Sequence, residues 1–291
     1  MLSALHTIRT YPFGPGSPIF AHYPAMKFGH LASANYFAEL LAPMALQAIA
    51  DVATKDRGWV LTSPPLRGLP CGANLVCRAL CGRLAEALPD GQAPRLVSMD
   101  ARGTIRPFSS QADFEAYDAY SKHDLNKRRQ FYLACHDSVT YDLAGFEGRH
   151  AIFVNDINVT GTQLATITKL LQSAGVKSLD VLLIVNVDRK IGCAFPQLEH
   201  EINTSRITDL PEFTAFLSDC EFDPTGKLIG RLMSHDPREL AAIFEALRPP
   251  KRQLLRRAIL QEGRYGGPLF KEKIEAVERA VFGDARTMSR A

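Results

Sequence analysis

Apolar positions change period along the chain, and the changes predict its elements. The first 22 residues show no period, and Tyr11-Pro12-Phe13-Gly14-Pro15-Gly16-Ser17-Pro18 holds too many breakers for a helix, so this stretch reads as irregular. From about Leu31 to Val52, Phe37, Leu40, Leu41, Met44 and Ala48 recur at three- and four-residue steps. That spacing predicts a helix, which Pro43 should kink or split. Trp59-Val60-Leu61-Thr62 reads as a strand, and a breaker-rich loop follows from Ser63 to Gly72. A helix is predicted from about Ala73 to Leu88, with Val76, Leu80, Leu84 and Leu88 on its apolar stripe and Pro89-Asp90-Gly91 as its stop. Arg95 to Met99 reads as a second strand, and Asp100 to Leu143 is polar, with a basic cluster at Lys122, Lys127, Arg128 and Arg129.

The clearest pattern comes next. His150-Ala151-Ile152-Phe153-Val154 is a continuous apolar run, as in a strand covered on both faces. The polar loop Asn155 to Gln163 leads into a helix whose buried side is marked by Leu164, Ile167, Leu170, Leu171 and Ala174, with Gly175 at the C′ position. Leu179 to Val185 is another buried strand. Strand, loop, helix and strand at this spacing form a βαβ unit, which implies a parallel sheet with a right-handed crossover. After about Phe195 strand patterns stop. Asp236-Pro237-Arg238-Glu239 is a helix start, with Asp at N-cap, Pro at N1 and Glu at N3. Helices are predicted at about 237–247, 250–261 and 268–282. The fold class is therefore α/β, with a helical C-terminal extension.

Composition narrows the function classes. The 291 residues are 46% hydrophobic and 22% charged, with a formal net charge of +3, so a disordered or collagen-like chain is excluded and charge alone does not point to nucleic acid. No apolar run is long enough to span a membrane, and the N-terminal residues, with His6 and Arg9, lack a signal-type apolar stretch; a cytoplasmic protein is expected. The six cysteines (71, 77, 81, 135, 193 and 220) lack zinc-type spacing and read as free thiols of a reducing compartment. GxGxxG, GxxxxGK[ST] and HExxH are absent. Lys251, Arg252, Arg256 and Arg257 interleave with Leu254, Leu255 and Ile259, which reads as an amphipathic helix with a solvated basic face; RNA or a partner is the sharper alternative.

Candidate chemistry concentrates at Asn155-Asp156-Ile157-Asn158-Val159-Thr160-Gly161-Thr162-Gln163. This loop follows a strand of an open α/β sheet, where such sheets bind ligands. It enters a helix N-terminus, whose free N–H groups and positive partial charge suit an anion. Gly161 permits close approach of a phosphate, and Thr160 and Thr162 add hydroxyl donors. Asp156 can accept from sugar hydroxyls or hold a magnesium-bound group. The same residues also suit a generic βα turn.

The run Ile152 to Gln163 resembles the phosphoribosyl-pyrophosphate (PRPP) signature of type I phosphoribosyltransferases: four hydrophobic residues, two acids, a short spacer, then Thr-Gly-x-Thr. Asp156 keeps the second acid and Thr160-Gly161 the pair; Asn155, Val159 and Gln163 depart from it. The resemblance implies a Rossmann-like parallel sheet, with residues 1–57 as an N-terminal segment and hood helix, 58–195 as the α/β core and 196–291 as the helical extension. It implies that Asn155, Asp156, Asn158, Thr160, Gly161, Thr162 and Gln163 bind PRPP, with Asp156 on the ribose side and as a metal contact. Thr62-Ser63-Pro64-Pro65-Leu66-Arg67-Gly68 takes the place of the pyrophosphate loop, with Ser63, Arg67 and Gly68 as its contacts. Tyr120 to Arg129 takes the place of the mobile catalytic loop, with Lys122, Arg128 and Arg129 beside Asp156 in the catalytic set. The implied activity is Mg²⁺-assisted transfer of phosphoribose to a base-like nitrogen acceptor with release of pyrophosphate. Loss of the first acid at Asn155 opens an alternative, a non-catalytic sensor of PRPP or a related nucleotide. Asp188-Arg189 sits near the base position and equally reads as a strand-ending pair. Tyr23-Pro24-Ala25-Met26-Lys27-Phe28-Gly29-His30, together with the long tail, resembles the ComF-like branch, including transferases of bacterial stress-response operons linked to tellurite resistance. Dimers are common in this superfamily, so a homodimer stays open.

Overall fold

The computed structural model describes residues 1–14, 16–52, 58–66, 68–103, 105–118, 126–127, 130 and 140–283. Its centre is a five-stranded, all-parallel sheet built from β1 (Leu2–Ile8), β2 (Trp59–Thr62), β3 (Arg95–Leu96), β6 (His150–Asn158) and β7 (Ser178–Val187), in the order β1-β7-β6-β2-β3. A short antiparallel ribbon pairs β4 (Ala101–Arg102) with β5 (Thr140–Tyr141). The apolar run in β6 has a direct cause. Successive strand side chains point to opposite faces, and here each face has its own cover. Ile152 and Val154 join α1 (Pro18–Lys27), α2 (Leu31–Ala50) and α3 (Gly72–Ala87) in one core. Ala151 and Phe153 join α5 (Thr162–Ser173), through Ile167 and Leu171, in another. Val76, Leu80 and Leu84 of α3 are fully buried, each worth roughly 1.5–3 kcal/mol.

Three sequence expectations are corrected. Residues 1–22 are not irregular throughout: β1 pairs in parallel with β7 at the sheet edge, and Pro18 opens α1 behind the Ser17 N-cap. An edge strand has one partner and a half-exposed face, so Leu2 to Ile8 lacks the continuous apolar run that marks β6. Pro18 acts as an N1 residue, where its missing N–H costs nothing. The helix at Leu31 runs through Pro43 as one 20-residue α2, with Phe37, Ala38, Leu41 and Ala45 buried along it. Tertiary packing of that face outweighs one lost backbone hydrogen bond.

The C-terminal region is helical: α6 (Arg189–Ala194), α7 (Leu198–Asn203), α8 (Leu210–Asp219), α9 (Gly226–Ser234), α10 (Pro237–Ala246), α11 (Pro249–Glu262) and α12 (Lys271–Phe282). Asp236 caps α10, accepting from the N–H groups of Arg238 and Glu239 at 2.8 and 2.9 Å. These helices form a third core, which also takes in Phe28, Leu69 and, from α4 (Gln111–Asp118), Phe114. Backbone joins them to α1 as well. The Thr225 hydroxyl donates to the Lys27 carbonyl at 2.7 Å, and Asp223 N–H donates to the Gly29 carbonyl at 3.1 Å. Gly29 is required there: its φ is +95°, and a Cβ would lie 2.0 Å from the Asp223 carbonyl oxygen. No helix among the described residues is long and apolar enough to cross a membrane.

The third correction concerns α11, whose basic residues mostly work inward. Lys251 is buried, and its ammonium donates to the carbonyls of Leu217, Ser218 and Cys220 at 2.7–2.9 Å, closing the end of α8. Arg252 donates to the carbonyls of Leu247, Glu245 and Ala280, and Arg256 pairs with Glu278. The heads of Lys251 and Arg252 meet the orphan carbonyls of helix ends and only Arg257 of the four is exposed, so a pattern that reads as a solvated face is in large part a set of staples. Lys251→Met should therefore lower the unfolding free energy by about 2–3 kcal/mol, because three carbonyls at the end of α8 lose their donor. Urea titration measures this, and an unchanged midpoint assigns Lys251 to the surface.

Candidate functional site

At its carboxyl end β6 divides its last polar side chains between the two faces. Asn155 turns toward α5: its amide donates to the Gln163 side-chain oxygen at 3.4 Å and to the Ile157 carbonyl at 3.2 Å. Asp156 turns toward α1, where Lys27 Nζ donates to its Oδ2 at 2.6 Å. Its Oδ1 accepts from the Ile157 N–H at 2.7 Å. Two of the three departures from the signature, Asn155 and Gln163, are thus hydrogen-bonded to each other. Beyond Asp156 the strict alternation lapses, and Ile157 and Val159 join the core under α1 to α3.

The chain then turns at Gly161, whose φ of +77° is left-handed, and α5 begins at Thr162. Ala165 N–H to the Gly161 carbonyl is the first intrahelical bond, so the amides of Thr162, Gln163 and Leu164 precede the ladder. The Thr160 and Thr162 hydroxyls lie 3.1 Å apart. The first turn holds no acid, which leaves the helix end electropositive. A cavity of about 710 Å³ opens over this loop, and residues 155–164 line it continuously.

Other parts of the wall come from elements far away in sequence. Lys27, Pro64, Pro65, Cys71, Glu199 and Arg264 all reach it. Arg264 donates to the Tyr117 hydroxyl at 3.0 Å, pairs with buried Glu262 and sits 4.7 Å from the centre of the Tyr117 ring. Asn74 braces the 63–66 turn, donating to Ser63 Oγ at 2.9 Å and to the Pro64 carbonyl at 2.8 Å. Ser63 is therefore turned to Asn74, while Pro64 and Pro65 face the cavity. Gly68 lines a second cavity, of about 430 Å³, and its carbonyl accepts from Gln261 at 2.8 Å. Arg67, Lys122, Arg128 and Arg129 lie outside the described residues. Asp188 is the N-cap of α6, accepting from Lys190 N–H at 2.9 Å, which accounts for the Asp188-Arg189 pair.

Electrostatics at the strand end are dominated by burial. Burial pulls the Lys27 amine down, but Asp156 and Glu199 more than offset it, and the net shift is upward. Burial, and then the charges of Asp156 and Glu199, pushes the Tyr23 phenol well above its ordinary value. Its hydroxyl has no hydrogen-bond partner among the described residues. Burial, and next Asp156, pushes the Cys71 thiol up to about 11, so it is held as the neutral thiol.

A magnesium ion held by Asp156 does not fit these residues. One carboxylate oxygen carries an ammonium at 2.6 Å, the other accepts a backbone N–H, and the neighbouring position is the neutral Asn155. A hard dication prefers several anionic or carbonyl oxygens and is repelled by an adjacent ammonium. Lys27, Glu199, Arg264 and Tyr117 carry no site role in the sequence reading. Lys27 does stand in the run of residues that resembles the ComF-like branch, whereas Glu199 in α7 and Arg264 in the turn after α11 belong to no local motif, and only the tertiary fold brings them here.

No family model matches the chain, and no curated protein matches it. Among solved structures the chain is similar to a variant of hypoxanthine phosphoribosyltransferase from Trypanosoma cruzi complexed with the product IMP. Identity is 15%, the match covers 55% of this chain and 69% of that chain, and the TM-score is 0.29. The α/β assignment of this protein stands on its own strand pairing.

The sign of the Lys27 shift gives a pH prediction. A lysine raised above its unfolded value of 10.5 adds stability that is complete below that value and is lost as pH rises through the higher folded value. The stability gap between wild type and Lys27→Met should therefore stay constant from about pH 7 to about pH 10. Denaturant midpoints across that range measure it; a gap that closes by about pH 9 contradicts the pairing.

Proposed function

We propose that this cavity binds PRPP and that the protein transfers its phosphoribosyl group to a nitrogen acceptor, releasing pyrophosphate. One observation carries the reading. The amides that open α5, the left-handed Gly161 and the Thr160 and Thr162 hydroxyls border one cavity, with Asp156 at its edge. Such a loop supplies fixed N–H dipoles and hydroxyl donors to a terminal phosphate at little reorganisation cost. Asp156 accepts from the ribose hydroxyls, since each carboxylate oxygen keeps a free lone pair. The diphosphate lies toward Pro64 and Pro65, with Arg67, Lys122, Arg128 and Arg129 as its cations. In the transfer the acceptor nitrogen forms a bond to ribose C1. The C1–O bond breaks, its electron pair leaves with pyrophosphate, and the acceptor's proton passes to solvent. The protein's part is to position the two partners and neutralise charge. The ComF-like branch and its stress-operon setting belong to this proposal through the sequence resemblance alone.

A second reading has its own observation. Asn155 is neutral, and the charge of Asp156 is compensated by Lys27, so an oxocarbenium-like transition state gains little from the strand end. That arrangement favours a sensor that holds PRPP or a related nucleotide without turnover.

The two readings separate cleanly. Both predict that PRPP raises the melting temperature, by linkage to the folded state. Both predict that Gly161→Val abolishes the rise, because a β-branched residue is strained at φ +77°. Only the transferase releases pyrophosphate with a panel of bases, and Asp156→Asn then lowers that rate by about tenfold or more. A wild-type melting temperature indifferent to PRPP rejects both.

A further inference from the structure

We propose that Lys27 is the resident cation of the ribose site, standing at Asp156 where a divalent metal is otherwise expected, so that the phosphorylated sugar binds without a metal ion. This rests on the PRPP-binding reading above and adds to it the ionic state of the bound complex.

Three observations converge on the assignment. The Lys27 ammonium lies 2.6 Å from Asp156, and both side chains are mostly buried, at 14% and 9% exposure. A charge held this far from water is a fixed part of the site, because releasing it strands a buried carboxylate. The lysine is also fixed along its backbone. Its carbonyl accepts from Thr225, and the start of α3 packs against the end of α1 so closely that a Cβ on Gly72 would lie 3.4 Å from Lys27 Cα. The stem has a defined root, and its head has a defined partner.

The surrounding donor set agrees. Of the two positions that hold acids in the family signature, one is the neutral Asn155, whose amide is engaged with Gln163 and Ile157. A second carboxylate, Glu199, brought by α7 from the C-terminal region, lines the same cavity and acts on Lys27 electrostatically. The Lys27–Asp156 pair is by itself a compensated group. A dication entering it must either displace the buried lysine or share the carboxylates with an adjacent positive charge, and both are unfavourable. An ammonium carries three donors. Asp156 takes one, and Lys27 lines the cavity, so further donors can meet a ribose hydroxyl or a phosphoryl oxygen of the ligand.

The test is isothermal calorimetry on the full chain with PRPP in excess EDTA and in Mg²⁺. Ribose 5-phosphate, which carries the ribose and its terminal phosphate without the diphosphate, is the control. Wild type should bind PRPP with dissociation constants that agree within about threefold in the two buffers. Mn²⁺ added to the protein alone should keep the electron paramagnetic resonance signal of the free ion. Lys27→Met should weaken PRPP in EDTA by about tenfold or more. If wild type needs Mg²⁺ for PRPP while ribose 5-phosphate binds in EDTA, the Lys27 proposal falls and the phosphate-loop reading stands. If ribose 5-phosphate and PRPP both fail to bind in either buffer, both fall. Should Lys27→Met not fold, the wild-type buffers and the Mn²⁺ signal decide: metal-independent binding with free Mn²⁺ supports the proposal, and metal-dependent binding or bound Mn²⁺ overturns it.

Discussion

A buried ammonium and a buried carboxylate 2.6 Å apart join the N-terminal helices to the central strand, and the architecture around the cavity is arranged about that contact. Neither charge is tolerable alone at this burial, and breaking such a pair costs about 3–5 kcal/mol. The pair therefore fixes where α1 sits over the carboxyl end of β6. Thr225 and Gly29 then fix the C-terminal helices against the end of α1. Through these links the tail reaches the cavity and contributes Glu199 and Arg264 to its wall. The C-terminal helices are thus built into the site as well as packed beside it.

The sheet and its crossover were legible in the sequence because their signal is local. A strand covered on both faces must be apolar at every position, and β6 is; an amphipathic helix must repeat every three to four residues, and α5 does. The turn into α5 was legible for the same reason, since a glycine before a helix leaves its mark within a few residues. β1 was not legible, because an edge strand needs no apolar run on its open side. The inward role of Lys251 and Arg252 was hidden because a staple and a solvated face share one composition; they differ only in which helix ends lie opposite. Lys27 was the most consequential residue left without a role. Its partner is 129 positions away, and no local pattern encodes that distance.

The same geometry explains why the departures from the signature need not disable binding. Asn155 replaces a charge with an amide, and Gln163 replaces a hydroxyl with a longer acceptor; together they form a neutral hydrogen bond beneath the loop. The backbone features proposed to receive a phosphate, namely the amides opening α5 and the turn at Gly161, do not depend on either side chain. What changes is the charge at the strand end. A strand end with one acid compensated by Lys27 is less negative than one with two free acids, and this shifts the balance from stabilising a cationic transition state toward holding the ligand.

The central claim is that the loop from Thr160 to Gln163 receives a sugar's terminal phosphate. The most direct measurement is a titration of the ¹⁵N-labelled protein with ribose 5-phosphate, followed by amide proton and nitrogen shifts. The account predicts saturable downfield movement of the Gly161, Thr162 and Gln163 amide protons as they donate to phosphate oxygens, with the amides of α12 unmoved. Saturable shifts confined to residues outside the cavity, with those three amides still, contradict it.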